Sequence, residues 1–310
     1  MFAYYLKLGL LSIRRNPLMT ALMVAAIAVG IGASMSIITV NYVMSGNPIP
    51  QKSDQLFYVQ VDSWDPNNAN DDGSFDPPDQ LTYIDAMALM KADKAYRQVA
   101  NNKSGLVLEP QGDDERPFSI QTRNTWADFF PMFDMPFLYG AGWDDAADRN
   151  IERVAVLSKE INEKVFGGEN SVGRSVRLSG MDYRVVGVLD DFHPVPKFYD
   201  VTNGAFNDPE DVYIPFNVGV EYRLPRNGNT NCWKPIEEDG PDAILNSECA
   251  WIQFWAELRN ESEKQDYMDV LNAYAEQQKQ LGRFPRPLNN RLSDVMEWME
   301  DQEVVEDDAR

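Results

Sequence analysis

The class of this protein is indicated first by residues 14–50, which have the sequence RRNPLMTALMVAAIAVGIGASMSIITVNYVMSGNPIP. No charged residue occurs between Arg15 and Lys52, and the most apolar part, 18–44, is 27 residues long. A helix needs about 20 apolar residues to cross a bilayer, so this run is long enough to span it with tilt. A cleaved secretion signal usually has an apolar region of only about 7–15 residues. The segment therefore predicts a transmembrane helix over 17–44.

The charges on either side of this helix predict its orientation. Lys7, Arg14 and Arg15 precede it, and no acidic residue occurs in the first 50 positions, whereas acidic residues follow from Asp54 onward. By the positive-inside rule, the N-terminus is expected in the cytoplasm and the remainder outside. The mixed aromatic and aliphatic residues of 1–16 predict a short cytoplasmic segment lying at the membrane interface.

Small residues recur within the predicted span at four-residue spacing, and such rows let helix backbones approach closely in lipid. They are Ala26, Gly30 and Ser34 in one row, and Ala28, Gly32 and Ser36 in the next. The rows favour a helix that packs against other membrane helices over a lone anchor.

The rest of the chain is strongly acidic. Three of the 28 basic residues and none of the 49 acidic residues lie in the first 50 positions, so 51–310 carries a formal net charge of −24. Such a surface repels phosphates, which argues against binding to nucleic acid or to an anionic lipid surface. About 260 residues are enough to bury a substantial core in one or two domains.

Cys232 and Cys249 are the only two cysteines of the sequence. With the predicted orientation both face the oxidising side of the membrane, where a disulfide persists. Two cysteines cannot form a zinc site unaided, and no C-x-x-C motif is present. The sequence predicts a disulfide between them, with two buried free thiols as the alternative.

Short apolar runs alternate with helical patterns after residue 50, which predicts a mixed α+β domain. Strands are predicted at 56–61, 104–109, 117–122, 154–158, 175–179, 183–189 and 251–258, with a hairpin joining the second and third. Helices are predicted at 79–92, near 124–133, at 159–167 and at 262–282, and a last amphipathic helix within 291–310. The loops at 62–80 and 190–245 are rich in Pro, Gly and Asn and are expected to form variable surface.

Three segments, in this order, resemble one protein family. They are RRNPLMT (14–20), GNPIPQKSDQLFYVQVD (46–62) and RVAVLSKEINEKVFGGENSVGRSVRLSGMDYRVVGVLDDF (153–192). They resemble the first membrane helix and the periplasmic core domain of MacB-like and FtsX-like ABC transporter permeases, and the resemblance covers essentially all 310 residues. In the third segment, Gly167, Gly168 and Gly173 permit backbone that a Cβ would obstruct.

The resemblance implies a two-lobed mixed α/β domain outside the membrane. The implied parts are an interfacial segment at 1–16, a membrane helix at 17–44, a porter-like lobe at 45–120 and 217–295, an inserted sabre-like lobe at 121–216, and a stalk at 296–310. Permeases of this family have four membrane helices, so the stalk would lead toward a second helix. A truncated portion of a longer permease is therefore favoured over a reading frame that ends here.

The implied function is a noncatalytic permease segment that couples ATP hydrolysis by a separate ATPase chain to movement of the outer domain, for export or envelope signalling. The sequence has no Gly-x4-Gly-Lys-[Ser/Thr] loop, so ATP hydrolysis is assigned to another chain. The implied partners are that ATPase, a second permease in a homodimer or heterodimer, a periplasmic adaptor and membrane lipid, at the bacterial inner membrane. The alternatives are a single-pass anchored binding or sensor protein and a membrane-tethered periplasmic enzyme.

No catalytic, cofactor or metal residue is predicted. The only histidine, His193, follows Asp190 and Asp191, but one histidine in a proline-bounded loop favours a structural or exposed role. The loop at 68–79 places Asn and Asp at calcium-binding offsets, yet its adjacent prolines and terminal Asp argue for a solvated polar loop. Three tryptophans are candidates for an exposed aromatic site, although core packing is the preferred interpretation. They are Trp64, Trp143 and Trp233.

Overall fold

The structure is a computed structural model. It describes residues 4, 5, 9, 14–69, 73, 75–110 and 116–305 of the chain. These residues form two compact units, one ending at Gly46 and one beginning at Asn47, which we call the outer domain. Most of the predicted interfacial segment 1–16 lies outside the described residues.

The first unit contains one long helix, α1, which spans Pro17–Met44 and has 28 residues. Proline is favoured at a first helical position because its missing N–H would have no partner there. The part Pro17–Val40 has a mean hydropathy of 2.3, and side chains from 21 to 40 are exposed. By length and composition the helix is able to cross a membrane, which agrees with the predicted span.

The outer domain alternates strands and helices, as predicted for a mixed α/β fold. Its strands are β1 Leu56–Gln60, β2 Leu81–Thr82, β3 Arg97–Glu109, β4 Phe118–Thr125, β5 Phe137–Gly140, β6 Val154–Leu157, β7 Ser175–Leu178, β8 Met181–Leu189, β9 Val212–Pro215, β10 Arg226–Asn227, β11 Asn231–Cys232, β12 Cys249–Glu257 and β13 Arg291–Asp294. Its helices are α2 Tyr83–Ala92, α3 Phe129–Met132, α4 Asp145–Arg149, α5 Lys159–Phe166, α6 Phe216–Glu221, α7 Glu261–Gln280 and α8 Val295–Asp301. Short 3-10 turns lie at Phe198–Asn203 and Ala243–Asn246.

Nine of the described strands form one hydrogen-bonded path, in the order β13-β1-β12-β3-β4-β9-β6-β8-β5. The others pair beside it: β2 and β11 with β12, β10 with β3, and β7 with β3 and β8. The long strand β3 pairs antiparallel with β12 through its first half and with β4 through its second. Strands β4 and β9 are parallel neighbours, although about 90 residues separate them along the chain. The predicted two-lobe division would place a boundary at residue 121, inside β4, and it stays a prediction.

Three hydrophobic clusters fill the outer domain. The first gathers aromatic side chains from α3, β1, β12 and α8, the second packs α2 and α7 on the sheet, and the third surrounds β6, β7 and β8. Between them they exclude water from both faces of the central strands, which explains why β6, β9 and β12 are buried along their whole length.

Several local predictions are confirmed. The predicted hairpin is the antiparallel pair of β3 and β4, and the predicted strands near 56, 154, 175, 183 and 251 are all present. Helix α5 ends at Gly167, whose φ of +64° is the left-handed conformation that favours glycine. Gly168 and Gly173 also have positive φ. The backbone role predicted for these three glycines is therefore confirmed.

Three predictions are corrected by the structure. The helix predicted within 291–310 is wrong over 291–294, which form β13 because this segment hydrogen-bonds to β1. The helix predicted near 124–133 shortens to Phe129–Met132, because 124–125 belong to β4 and 126–128 form the connection to the helix. The predicted surface loop 190–245 instead contains the buried strand β9 and the helix α6.

Candidate functional site: the junction segment and the buried charge cluster

The residues that follow α1 are attached firmly to the outer domain. We call 47–55 the junction segment. The Asn47 side chain donates to Ser53 Oγ at 2.7 Å and accepts from the Ile49 backbone N–H at 3.0 Å, and Ile49 itself is buried. The Leu258 backbone N–H donates to the Gln55 carbonyl oxygen at 2.8 Å. These bonds hold a segment that has no regular secondary structure of its own.

Lys52 is the strongest attachment point of the junction segment. Its Nζ donates to the carbonyl oxygens of Pro131 and Met132 at 2.7 and 3.2 Å. It also lies 3.0 Å from an Asp134 oxygen and 3.6 Å from an oxygen of the buried Glu257. Charge-assisted hydrogen bonds in a partly buried setting are stronger than exposed ones. Lys52 therefore ties the junction segment to both α3 and β12.

The other end of the outer domain packs into the same hydrophobic cluster. Helix α8 begins with a capping box in which the Asp294 carboxylate accepts from the Glu297 backbone N–H at 2.9 Å. Its Trp298 is buried and stacks on Tyr58 of β1, with ring centroids 3.7 Å apart. Ile49 belongs to the same cluster. The stretches 47–55 and 295–305 thus share one core, so displacement of either one perturbs the other.

The resemblance implies a stalk at 296–310. The structure describes it only to residue 305, and in that part Trp298, Met299 and Val305 are buried in the outer domain. The described part is therefore packed core, and a stalk formed by the remaining residues stays a prediction.

A cluster of buried charges lies at the centre of the sheet. Arg123 of β4 is fully buried, and its guanidinium donates to Asp200, to Glu210 at 2.5 Å and to Asn101 at 2.6 Å. Asp200 belongs to the 3-10 turn and Glu210 precedes β9. Lys197 Nζ lies 3.3 Å from Glu210. The cluster joins the segment 197–211 to the sheet by ionic hydrogen bonds.

The pKa values in this buried charge cluster are set by burial and by the neighbouring charges. Burial alone would raise the pKa of Glu210, but Arg123 and Lys197 outweigh burial and lower the pKa to about 2. Burial lowers the pKa of Lys103, whose Nζ lies 3.9 Å from both carboxylates. Asp200 also accepts from Gln253 at 2.9 Å. Glu210 is therefore held as an anion by the cations around it.

A cavity of about 260 Å³ adjoins the cluster and is lined by Glu210, Asp190 and His193 among others. Asp190 and Asp191 bind Lys159 at 2.9 and 3.2 Å, which lowers the pKa of Asp190. His193 is half-exposed, with its Nε2 3.8 Å from Glu160. The structure thus does not pair His193 with the two aspartates that precede it. Among the described residues, no group of three His, Cys, Asp or Glu side chains is arranged to hold a metal ion.

The loop considered for calcium surrounds an arginine in its described part. The guanidinium of buried Arg286 donates to the carbonyl oxygens of Asp65, Asn68 and Asp76 at 2.7–2.8 Å. It also pairs with Asp62 at 3.0 Å. Carbonyl oxygens that would bind a cation are thus occupied by a fixed cation of the protein itself. Part of this loop, 70–72 and 74, lies outside the described residues.

The three candidate tryptophans do not form an exposed aromatic site. Trp143 is buried at 7% exposure and contacts Phe130 edge to face, with centroids 4.8 Å apart. Trp64 and Trp233 are half-buried. This placement agrees with the preferred interpretation of core packing.

Cys232 and Cys249 are cross-strand partners of β11 and β12, with Cα atoms 4.2 Å apart and a bond between their sulfur atoms. We expect the pair to be oxidised in protein exported to an oxidising compartment. Replacing both with alanine should lower the free energy of unfolding by about 3 kcal/mol, as chain-entropy arguments give for a loop of this length. Intact mass after alkylation checks the bond, and two alkylated thiols in the exported protein would contradict it.

Asp148 of α4 is a buried carboxylate with an unusual pKa. It accepts from the Ala127 backbone N–H at 2.8 Å and from Trp143 Nε1 at 2.9 Å. Burial raises its pKa to about 7 and outweighs these two hydrogen bonds, and the nearby carboxylates of Asp145 and Asp128 add to the rise.

This shift predicts a pH dependence. A raised carboxyl pKa means that the folded state binds the extra proton, so the contribution of Asp148 to stability is full below pH about 4 and is lost as pH rises through about 7. We expect Asp148→Asn to remove a decline of up to about 1.4 kcal/mol per pH unit between pH 5 and 7. Urea unfolding across this range measures the slope, with exposed Asp182→Asn as control. The same slope in wild type and Asp148→Asn would contradict the assignment.

The sequence does not predict that Arg123, Asp200 and Glu210 form a group. The available signal was an arginine directly after the predicted strand 117–122, since a charged residue that is buried in a sheet needs a buried partner. The partners themselves lie 77 and 87 residues further along the chain. They occur in the segment that was predicted to be a surface loop.

A membrane-length helix followed by a folded, strongly acidic α/β domain defines a membrane-anchored protein with a domain outside the lipid. The family model of the MacB-like periplasmic core domain matches residues 20–272. The chain therefore belongs to this family, whose members are components of ABC transporter permeases.

Two relatives illustrate the similarity. The pyoverdine export ATP-binding/permease protein PvdT of Pseudomonas entomophila is 24% identical over 115 residues, which cover 37% of this chain and 16% of the relative. The macrolide export ATP-binding/permease protein MacB of Wolinella succinogenes is 21% identical over 139 residues, which cover 44% of this chain and 19% of the relative. The matched region thus spans less than a fifth of either relative.

Solved structures are also similar. The periplasmic region of MacB from Actinobacillus actinomycetemcomitans has a TM-score of 0.49 and 15% identity, and the match covers 82% of this chain and 95% of that one. The extracellular domain of the noncanonic ABC-type transporter YknZ from Gram-positive bacteria has a TM-score of 0.41 and 14% identity, with coverage of 68% and 87%.

Proposed function

We propose that this chain is the first membrane helix and the outer domain of a noncatalytic permease subunit. In this proposal a separate ATPase chain hydrolyses ATP in the cytoplasm, and the outer domain changes conformation to drive export or envelope signalling. Family membership and a membrane-length helix support the assignment. Residues 1–310 contain no Walker-type phosphate loop, so in this proposal ATP is hydrolysed outside them.

The observation that carries the proposal is the attachment of the junction segment. Only Ser45 and Gly46 separate the end of α1 from the outer domain. Lys52 then contacts two oxygen atoms of α3, one of Asp134 and one of β12. A link this short, followed by a segment this firmly held, transmits a displacement of the helix end instead of absorbing it.

Co-purification tests the partner first. A tagged copy of the permease, extracted from its native membranes in mild detergent, should retain an ABC ATPase chain and its ATP hydrolysis. A single-pass anchored binding or sensor protein would retain neither. Loss of both under conditions that keep the outer domain folded would overturn the proposal.

Lys52→Met then tests transmission in the full permease. We expect ATP hydrolysis to continue while export or signalling per ATP falls, because the junction segment loses its charge-assisted bonds to α3 and β12. Exposed Lys94→Met is the matched control, since it removes the same charge at a distant surface site. Unchanged coupling in a folded Lys52→Met protein would contradict transmission through this segment.

We also propose that the N-terminus lies in the cytoplasm of a bacterial cell and the outer domain in the periplasm. The basic flank before α1 and the acidic domain after it support this orientation. A reporter fused after Pro50 should be active as a periplasmic enzyme, and one fused before Asn16 as a cytoplasmic enzyme. The opposite pattern would contradict the orientation. A permease dimer, a periplasmic adaptor and lipid contacts remain part of the proposal.

A further inference from the structure

A cavity of about 530 Å³ lies beside the edge strand β5 and is formed by residues between 127 and 145. Its walls include Phe130, Met135 and Trp143, which are all buried, and the half-buried Phe137. The volume falls within the range of small-molecule sites, which are usually lined by apolar and aromatic side chains with a few polar groups. The cavity therefore offers an apolar surface to a ligand of moderate size. We call it the 127–145 cavity.

Every titratable side chain that lines the 127–145 cavity is an aspartate. These are Asp128, Asp134, Asp144 and Asp145, and no basic side chain lines this cavity in the described part of the chain. Lys52 pairs with Asp134, and the Asp144 carboxylate accepts from the Ala147 backbone N–H. Neither contact involves Asp145. Negative potential thus accumulates next to an apolar wall.

A second cavity of about 300 Å³ shares Ala127, Asp128 and Asp145 with the first and is also lined by Asp148. At this shared wall the carboxylates repel each other. Burial raises the pKa of Asp148, and Asp145 and Asp128 add to the rise. Burial also raises the pKa of Asp128, with a further rise from Asp145 that Arg97 opposes in part. Lys91 and Arg149 line only the second cavity. The shared wall therefore carries excess negative charge that a bound cation would relieve.

We propose that the 127–145 cavity binds a hydrophobic organic cation. Its apolar body would pack against Phe130, Met135 and Trp143, and its charge would face Asp128 and Asp145. An acidic group at a partly desolvated site attracts a cation more strongly than it does in water. The proposal goes beyond permease function, because binding requires neither an ATPase partner nor ATP.

Two probe ions of the same size and shape but opposite charge test the proposal. Tetraphenylphosphonium and tetraphenylborate are titrated into the full chain in detergent micelles, and protein-free micelles are subtracted. We expect saturable binding of one tetraphenylphosphonium per chain, with tetraphenylborate at least about tenfold weaker because a carboxylate pair near the charge favours the cation. Equal affinity for the two ions, or no saturable binding of the cation, would overturn the proposal.

Substitutions then locate the site. Asp128→Asn combined with Asp145→Asn should weaken cation binding about tenfold by removing both facing charges. Asp145→Asn alone, at an exposed position, should weaken it less. The control pair Asp54→Asn and Asp266→Asn removes the same charge from exposed positions that do not line the cavity, and should leave affinity unchanged.

A substitution that fills the 127–145 cavity tests the role of its apolar wall. Ala141 lines the cavity and is exposed, so Ala141→Trp should occupy the space without changing any charge. We expect it to abolish saturable cation binding while circular dichroism and the unfolding midpoint stay close to wild type. Wild-type affinity in this variant or in the double aspartate variant would place the cation elsewhere and overturn the assignment.

Discussion

Arg123→Met is expected to destabilise the outer domain by about 3–5 kcal/mol, because it leaves buried charges without their main partner. The guanidinium of Arg123 bridges the fully buried carboxylates of Asp200 and Glu210. Methionine is similar in size, so the loss comes mainly from the two buried carboxylates, which keep only Lys103 and Lys197 as cationic partners, and not from a cavity. Urea unfolding of the full chain in detergent measures the change.

Two further variants sharpen this prediction. Arg149→Met, at an exposed position, is the matched control and should change stability by less than about 0.5 kcal/mol. Adding Glu210→Gln to Arg123→Met should recover part of the loss, because one buried anion is removed together with its partner. Strictly additive losses in the double variant would contradict the proposed pairing.

Acidification probes the same cluster. The pKa of Glu210 is lowered to about 2 in the folded state, so its contribution is present above its ordinary pKa near 4.5 and is lost as pH falls through about 2. Asp148 acts in the opposite direction at higher pH. The two groups together favour a stability maximum in mildly acidic solution.

Trp298→Ala is expected to cost about 3–5 kcal/mol, the range for removing a large aromatic side chain from a core. Trp298 is 1% exposed and stacks on Tyr58, which in turn contacts Trp255 edge to face. The substitution therefore opens a cavity between α8, β1 and β12. Thermal or urea unfolding measures the loss.

The control for this prediction is Trp233→Ala, since Trp233 is only half-buried and should cost clearly less. Equal losses at the two positions would contradict a core role for Trp298. The result also bears on the stalk prediction. Replacing 297 and 298 with glycine would remove the same core side chain. A loss of coupling between ATP hydrolysis and export or signalling in that variant would then be explained by unfolding of the core as well as by a flexible stalk.

Local sequence pattern was sufficient to predict an element wherever one contiguous segment determined its structure. The charge-free run at 17–44 predicted a membrane-length helix, because an apolar helix of that length has few alternatives to a bilayer. The β3–β4 hairpin was predicted from two apolar segments on either side of a polar turn, and helix α7 from its hydrophobic period. The predicted ends of the elements were less accurate. Helix α7, for example, begins directly after Asn260, whose side chain accepts from the Glu263 backbone N–H, and the position of such a cap depends on contacts among a few residues.

Pairings between distant segments could not be predicted in this way. At 291–294 the apolar spacing fits a helix, yet the segment is a strand because β1 offers free hydrogen-bonding groups at the edge of the sheet. The many Pro, Gly and Asn residues of 190–245 predicted a surface loop. Its strand β9 is buried because β4 and β6 bind it on both sides.

The sequence by itself determined the membrane-length helix, the mixed α/β character and the family, because hydropathy, period and motif order are properties of contiguous residues. Only the tertiary structure decided which charges are buried together and which cavities are lined by acidic side chains. Arg123 meets Glu210 across 87 positions, and Lys52 meets Glu257 across about 200. Ionic partners of this kind are selected by the path of the chain through space, since charge attraction depends on distance between atoms and not on separation along the sequence.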